Sequence, residues 1–399
     1  MQTFSTLVRS RRFSLILLTY VAFIALGMPD GLLGVAWPSL RASFALPLDA
    51  VGALLVMGTA GYLTSSFLSG KLIARLGVGR VLVASTALTG FALIGYTWAP
   101  VWGLVLLMGA AAGLGAGAID AGLNTYVAAH FSAGWMQWLH ASYGIGITTG
   151  PILMTVAINA LGAWQPGYLA VGGFQLAMTA CFILTLPLWA QNGAPAKTAQ
   201  PRALTDYKTP LAETLRQPGV WLSMSLFFFY VGAEVSLGTW SYTLLTESRA
   251  VSTQAAGLWA GSYWATFTLG RILAGLYTKR IGNNLLVIAS LAGALAGSAL
   301  LWWNPAAWAN LLAVALIGFA IAPIFPALIS ATSQRVGVRY SANTIGMQIA
   351  AGGLGSAAIP GLVGVLARQV SLEIIPVCFV ALYAALLGLC GLALRDKSA

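Results

Sequence analysis

Apolar stretches of about twenty residues follow one another along this chain with only short polar breaks, and a helix of that length matches a hydrocarbon core of roughly 30 Å. Twelve are predicted, at 13–38, 48–69, 81–98, 101–129, 138–161 and 168–190, then at 218–246, 254–278, 284–303, 307–333, 341–367 and 374–394. Runs such as "VLVASTALTGFALIGY" are apolar on every side, whereas a membrane β-barrel needs shorter segments of alternating polarity. The pattern predicts an all-α polytopic membrane protein. Composition agrees, with 59% hydrophobic and 7% charged residues, where a soluble domain carries about a quarter charged.

The only long hydrophilic stretch, "QNGAPAKTAQPRALTDYKTPLAETLRQPG", is rich in proline and polar residues and falls between the sixth and seventh spans. It divides the chain into an expected six-helix bundle at 1–190, a cytoplasmic linker at 191–217 and a second six-helix bundle at 218–399. The halves echo each other. "GKLIARLG" after the second span and "GLYTKRIG" after the eighth share the spacing of Gly, Arg and Gly at an offset of 205. Asp30 and Gly34 are matched by Glu234 and Gly238 at an offset of 204, and His140 and Gly144 by Gln348 and Gly352 at 208. Three near-equal offsets in one order predict two pseudo-symmetric bundles, as in a transporter whose halves rock about a central site.

Lys and Arg set the expected orientation. With the amino terminus in the cytoplasm, 16 of them fall on that side and only Arg41, Arg249 and Arg368 on the other, leaving Arg271 inside the eighth span. Both termini are then cytoplasmic, and a multi-pass protein of the cell (inner) membrane is expected. The net charge of +11 reads as juxtamembrane anchoring to the lipid bilayer rather than nucleic-acid binding. Arg9 to Arg12 before an apolar run imitate a signal peptide, but without a convincing small-residue cleavage site the first helix is read as uncleaved. Cys181, Cys378 and Cys390 all fall within spans and imply neither disulfides nor a thiolate metal site.

The loop "GKLIARLGVGR" resembles the signature of the major facilitator superfamily, and its echo after the eighth span strengthens the likeness. The acidic residue usual before the arginine of that loop is Ala74 here, which removes the charge relay attributed to it. The resemblance implies gating roles for Gly70, Lys71, Arg75, Gly77 and Arg80, and for Gly275 and Arg280 in the echo, with Arg271 nearby. Within the superfamily, "PDGLLGVAWPSL", "IDAGLNTYVA", "GRILAG", "APIFPALI" and "GMQIAAGGLGSAAIPGLVG" resemble the fucose permease type of proton-linked sugar symporter.

An ionisable side chain inside a span is costly and marks a functional site by default. Three acids qualify: Asp30, Asp120 and Glu234. Asp30 follows Pro29, which loosens the local helix hydrogen bonding, and it either caps a broken helix or binds proton or substrate. Asp120 has Asn124 one turn on, and the two together offer acceptors and donors suited to hydroxyl groups; the alternative is a plain interhelical hydrogen bond. The resemblance adds Tyr126 to this pair and implies that Asp30 and Asp120 couple proton and sugar. Glu234 is expected with them from its repeat position. His140 is a pH-sensitive candidate or a structural hydrogen-bonding group. Gln348, Tyr143 and Trp264 complete the expected substrate contacts, the last two among aromatics (Trp37, Phe229, Tyr230, Trp240, Tyr242, Tyr263) that serve either sugar stacking or packing. The glycines of "GAAAGLGAGAID" read as close helix packing, not a dinucleotide loop.

These residues predict a secondary transporter coupling proton flow to uptake of a sugar or similar polyhydroxylated solute. The alternative is a proton-coupled exporter of amphipathic or cationic compounds, suggested by "GIGITTGPILM", which resembles the glycine-proline motif of drug/proton antiporters. No nucleotide motif, triad spacing or metal cluster points to an enzyme, a cofactor or a metal. The expected partners are a small-molecule substrate, protons and the bilayer, with the protein a monomer.

Overall fold

A computed structural model describes residues 2–130, 133–191 and 209–395, with some side chains at helix ends, including those of 2–13, 128–137 and 275–280, outside the description. The expected linker lies mostly outside it. Among the described residues there is no strand. The helices are α1 Gln2–Ser43, α2 Val51–Leu76, α3 Val78–Trp98, α4 Trp102–His130, α5 Ala133–Leu161, α6 Gln165–Gln191, α7 Leu211–Leu215, α8 Pro218–Thr243, α9 Thr253–Ile281, α10 Asn283–Trp303, α11 Ala307–Ile321, α12 Ile324–Ser330, α13 Thr332–Val336, α14 Val338–Gln369 and α15 Ile374–Arg395. Eleven helical stretches among the described residues are long and apolar enough to span a membrane. The remaining long helix, α9, has the length but carries Ser262, Thr266, Thr268 and Arg271.

Packing divides the chain into two compact units, Met1–Phe44 with Ala53–Thr198, and Ala45–Gly52 with Ala199–Ala399. Inside the first, α1 packs on α5, α3 on α6 and α3 on α4; inside the second, α8 packs on α14, α10 on α15 and α10 on α11. These are the same pairs, span for span, so the repeat read from sequence offsets is also a repeat of helix pairing. Small residues make it possible. A Cβ on Gly146 of α5 would collide with the Ile24 carbonyl of α1, and one on Gly355 of α14 with the Phe228 carbonyl of α8. In lipid, where hydrocarbon surrounds apolar side chains anyway, such backbone-to-backbone approach supplies the packing contacts. Gly77 and Gly282, at matching junctions after α2 and α9, both have left-handed φ, +77° and +80°, which the absence of a Cβ permits.

Prolines break the helix inside only one of the described spans. Pro29 and Pro38 lie inside an unbroken α1, as Pro151 does in α5 and Pro360 in α14. The tenth span, expected as one helix at 307–333, breaks instead at Ala322 and Pro323. Two prolines within a turn, Pro323 and Pro326, each remove an N–H, and Pro323 cannot bond back to Phe319.

In the second unit α8 runs into a π-helical turn, Leu244–Ser248, and Arg249 fastens its end. The guanidinium donates to Glu373 Oε1 at 3.0 Å and Oε2 at 2.7 Å, and to Asn310 Oδ1, while Ser248 Oγ donates to Glu373 Oε1 at 2.7 Å. Arg249 thereby holds the Glu373 carboxyl below the usual glutamate range. The segment Ala45–Gly52 packs with this unit through a 3₁₀ turn at Leu48–Ala50, with Asp49 Oδ1 3.3 Å from Arg368 Nε.

Two outcomes are expected. Gly146→Leu and Gly355→Leu each abolish the monodisperse peak in fluorescence-detected size exclusion. Arg249→Ala lowers the thermal midpoint by several degrees, since it strands Asn310 and Glu373, on the order of 2 kcal/mol. Because Glu373 is depressed in the folded state, the wild-type advantage is full above the ordinary glutamate value of about 4.3 and shrinks as pH falls below it.

Candidate functional site

Asp30 lies on α1 with its side chain exposed, and its Oδ2 accepts a 2.5 Å hydrogen bond from the Tyr143 hydroxyl of α5. The tight α1–α5 seam makes this reach possible, because glycines on both helices bring the backbones together beside the pair.

Asp120, half-buried on α4, uses both carboxylate oxygens. Oδ2 accepts from the Tyr62 hydroxyl of α2 at 2.5 Å, and Oδ1 accepts from Asn124 Nδ2 at 2.8 Å. Asn124 Nδ2 also reaches the Asp120 carbonyl at 2.9 Å, leaving the amide oxygen as an acceptor on the same face. Gly117, one turn before, admits the Tyr62–Ser66 stretch of α2: a Cβ there would meet the Tyr62 carbonyl and the Ser65 hydroxyl. Ser66 Oγ donates to the Gly117 carbonyl at 3.3 Å.

The two acids interact electrostatically with each other, and His140 acts on Asp120. His140 is exposed and meets Phe23 edge-on at 5.7 Å. Asp30, Tyr143, Asp120, Tyr62, Asn124 and His140 thus make one polar group within the first unit. No ion pair among the described residues involves either acid, and no group of His, Cys, Asp and Glu among them is placed to hold a metal. Two carboxylates, three donors and a histidine are equipped to bind a proton or a small cation and to grip hydroxyl groups.

Three further expected ligands are buried, each within its own unit. Tyr126 is 3% exposed and packs on Trp189 with centroids 4.7 Å apart, in the core of the first unit. Gln348 is 0% exposed in the second unit, accepting from Thr332 Oγ1 at 2.9 Å. Trp264 is buried beside Tyr263 and Gly238. The other aromatics mostly pack: Trp37, Tyr230, Trp240 and Tyr263 are fully buried, and Trp240 donates to the Pro360 carbonyl at 2.9 Å.

Glu234 belongs to a separate cluster in the second unit, half-buried on α8, electrostatically coupled to Arg271 of α9 and in contact with Tyr230 one turn earlier. Arg75 and Arg80 are exposed at the α2–α3 junction. Gly70, Lys71, Gly275 and Arg280 fall outside the residues whose surroundings are described. Tyr62 is the side chain of this group that sequence reasoning misses; its signal is a lone polar aromatic among small residues in "TAGYLTSS".

The sequence model of the Major Facilitator Superfamily matches residues 19–394. The chain belongs to this superfamily. It is a multi-pass membrane transporter and not an enzyme. Three relatives match over most of their length. The chain is 24% identical to "Bypass of stop codon protein 6" of Saccharomyces cerevisiae, over 89% of this chain and 77% of that one. It is 23% identical to human "Sodium-dependent glucose transporter 1", over 86% and 72%, and 21% identical to "Glucose/mannose transporter GlcP" of Bacillus subtilis, over 86% of each. Among solved structures, a mutant form of the nucleoside transporter NupG shares the fold, with a TM-score of 0.79 at 12% identity over 94% of this chain and 98% of that one.

Tyr62→Phe and Tyr143→Phe are expected to lower transport rate about tenfold at unchanged expression, since each removes a hydrogen bond to a charged acceptor. Tyr126→Phe is expected to leave the rate within about twofold.

Proposed function

We propose that this transporter works by alternating access and couples proton entry to uptake of a sugar or similar polyhydroxylated small solute. The observation that carries the reading is the Asp120 constellation: a carboxylate held from one side by Tyr62 and from the other by Asn124, near enough to act electrostatically on Asp30, which Tyr143 holds. Such a group presents fixed acceptors and donors to hydroxyls, and its charge is answered by no lysine or arginine among the described ion pairs. A proton can therefore fill that role. Asp30 and Asp120 carry the coupling, His140 modulates it, and Glu234 contributes through its own cluster. Arg75, Arg80 and Lys71 steady the cytoplasmic gate. The protein acts as a monomer in the cell (inner) membrane, with both termini cytoplasmic, exchanging substrate and protons and binding no nucleic acid. The hexose names carried by two relatives support the substrate class.

A second reading, sodium in place of the proton, is favoured by the name of the human relative. Purified protein in liposomes separates the two. Labelled glucose or a related hexose is expected to accumulate under an inside-alkaline gradient without sodium, and Asp120→Asn abolishes accumulation while retaining solute exchange across the membrane. Accumulation only under a sodium gradient at equal pH replaces proton by sodium. No driven uptake across a broad panel of sugars overturns the substrate class.

A further inference from the structure

The break in the tenth span leaves backbone carbonyls without helical partners, and side chains of two other helices take them. Tyr230 of α8 donates to the Ile321 carbonyl at 3.2 Å, and Arg271 Nε of α9 donates to the Ala322 carbonyl at 3.4 Å. The same two residues flank Glu234. Tyr230 stands one turn before it on the same face of α8, while Tyr263 of α9 donates to the Glu234 main-chain carbonyl at 2.8 Å. Arg271 is further held over the Phe267 ring, with its guanidinium carbon 4.2 Å from the centroid. No ion pair within 4.0 Å joins Arg271 to Glu234 among those described, and Glu234 Oε2 is a buried oxygen without a hydrogen-bond partner. The guanidinium is thus committed to the broken helix and an aromatic face, while a carboxylate it acts on electrostatically keeps an oxygen open.

We propose that Arg271 is a positioning residue that ties Glu234 to the break between α11 and α12. Its cation has two claims on it, the carbonyl at the break and the charge of Glu234, and it holds the break in the present geometry only while both are met. Neutralising Glu234 leaves the guanidinium less well compensated in a low-dielectric setting, so it relaxes toward a more polar one and the Ala322 carbonyl is released. A segment with freed carbonyls and two prolines is where a span can bend, so the state of Glu234 sets the stiffness of that bend. Arg271 thus acts through the hinge and does not touch the solute. The kinetic arm of this inference rests on the transport reading above; the structural arm stands without it.

The test compares wild type, Arg271→Gln, Arg271→Lys, Glu234→Gln and the double variant Glu234→Gln/Arg271→Gln in nanodiscs, by hydrogen exchange over residues 318–331. Arg271→Gln is expected to raise exchange there by about tenfold, the loss of one charge-assisted bond, and Glu234→Gln to raise it by less. The double variant matches Arg271→Gln alone, because both act through one contact, and Arg271→Lys falls between it and wild type. In transport, Arg271→Gln lowers the maximal rate with KM within about twofold. Wild-type exchange over 318–331 in Arg271→Gln overturns the proposal, as does additivity in the double variant or a raised KM at unchanged maximal rate. If Arg271→Gln is not monodisperse, Tyr230→Phe takes its place: it keeps the ring, removes the hydroxyl that bonds Ile321 and meets Glu234, and must loosen the same segment, or the proposal fails. If no sugar is transported by any variant, the exchange comparison alone decides.

Discussion

Hydrocarbon offers no hydrogen-bond partner, so every backbone group within it must be answered by protein, and the rest of this structure follows from that constraint. Where a helix is continuous its own ladder answers most groups, and across Pro29 the orphaned Ala25 carbonyl accepts from Gln175 Nε2 at 2.8 Å. Where the ladder fails, a long polar side chain has been recruited from a neighbour. Tyr230 and Arg271 meet the Ile321 and Ala322 carbonyls at the break. The apolar composition therefore makes the few polar side chains conspicuous, and most of those described have an identifiable partner.

Close helix approach determines which polar pairs are possible. A phenol reaches only about 6 Å from its backbone, so Tyr143 and Tyr62 engage carboxylates on other helices only because those helices nearly touch. The seams carry two functions at once: packing, through Gly146 and Gly117, and the placement of a hydroxyl against an acid. In the second unit the same architecture puts a cation where the first has none. The halves share a plan of helix pairs while differing in electrostatics, with two interacting acids beside a histidine in one and an acid opposed by an arginine in the other.

Much of this is legible in the sequence. Long apolar runs yield most of the helices to within a few residues, although α1 starts well before residue 13 and α2 continues past residue 69 to Leu76, and the offsets near 205 anticipate the repeated pairing. The break in the tenth span is not legible, because hydropathy registers the apolar side chains of "APIFPALI" and is blind to a missing N–H. Asp120 and Asn124 are readable since four residues return to one helix face. Tyr126 rests on family likeness alone; six residues advance about 600°, or 240° past the starting face, which turns it toward Trp189 and the core. Tyr62 is hidden because a tyrosine in a span looks like packing until the helix across from it is known. Gln348 shares a repeat position with His140 but not an environment: one is sealed inside its unit, the other exposed.

The eight residues Ala45–Gly52 belong covalently to the outgoing connection of the first bundle but pack with the second. Their 3₁₀ turn sets Asp49 against Arg368, and a Cβ on Gly52 would stand 3.1 Å from the Gly361 Cα. A chain severed in the linker and expressed as separate polypeptides would deprive the carboxyl-terminal fragment of that turn, leaving Arg368 and a glycine groove on α14 bare. Complementation from two genes would then need the amino-terminal fragment to donate the turn in trans.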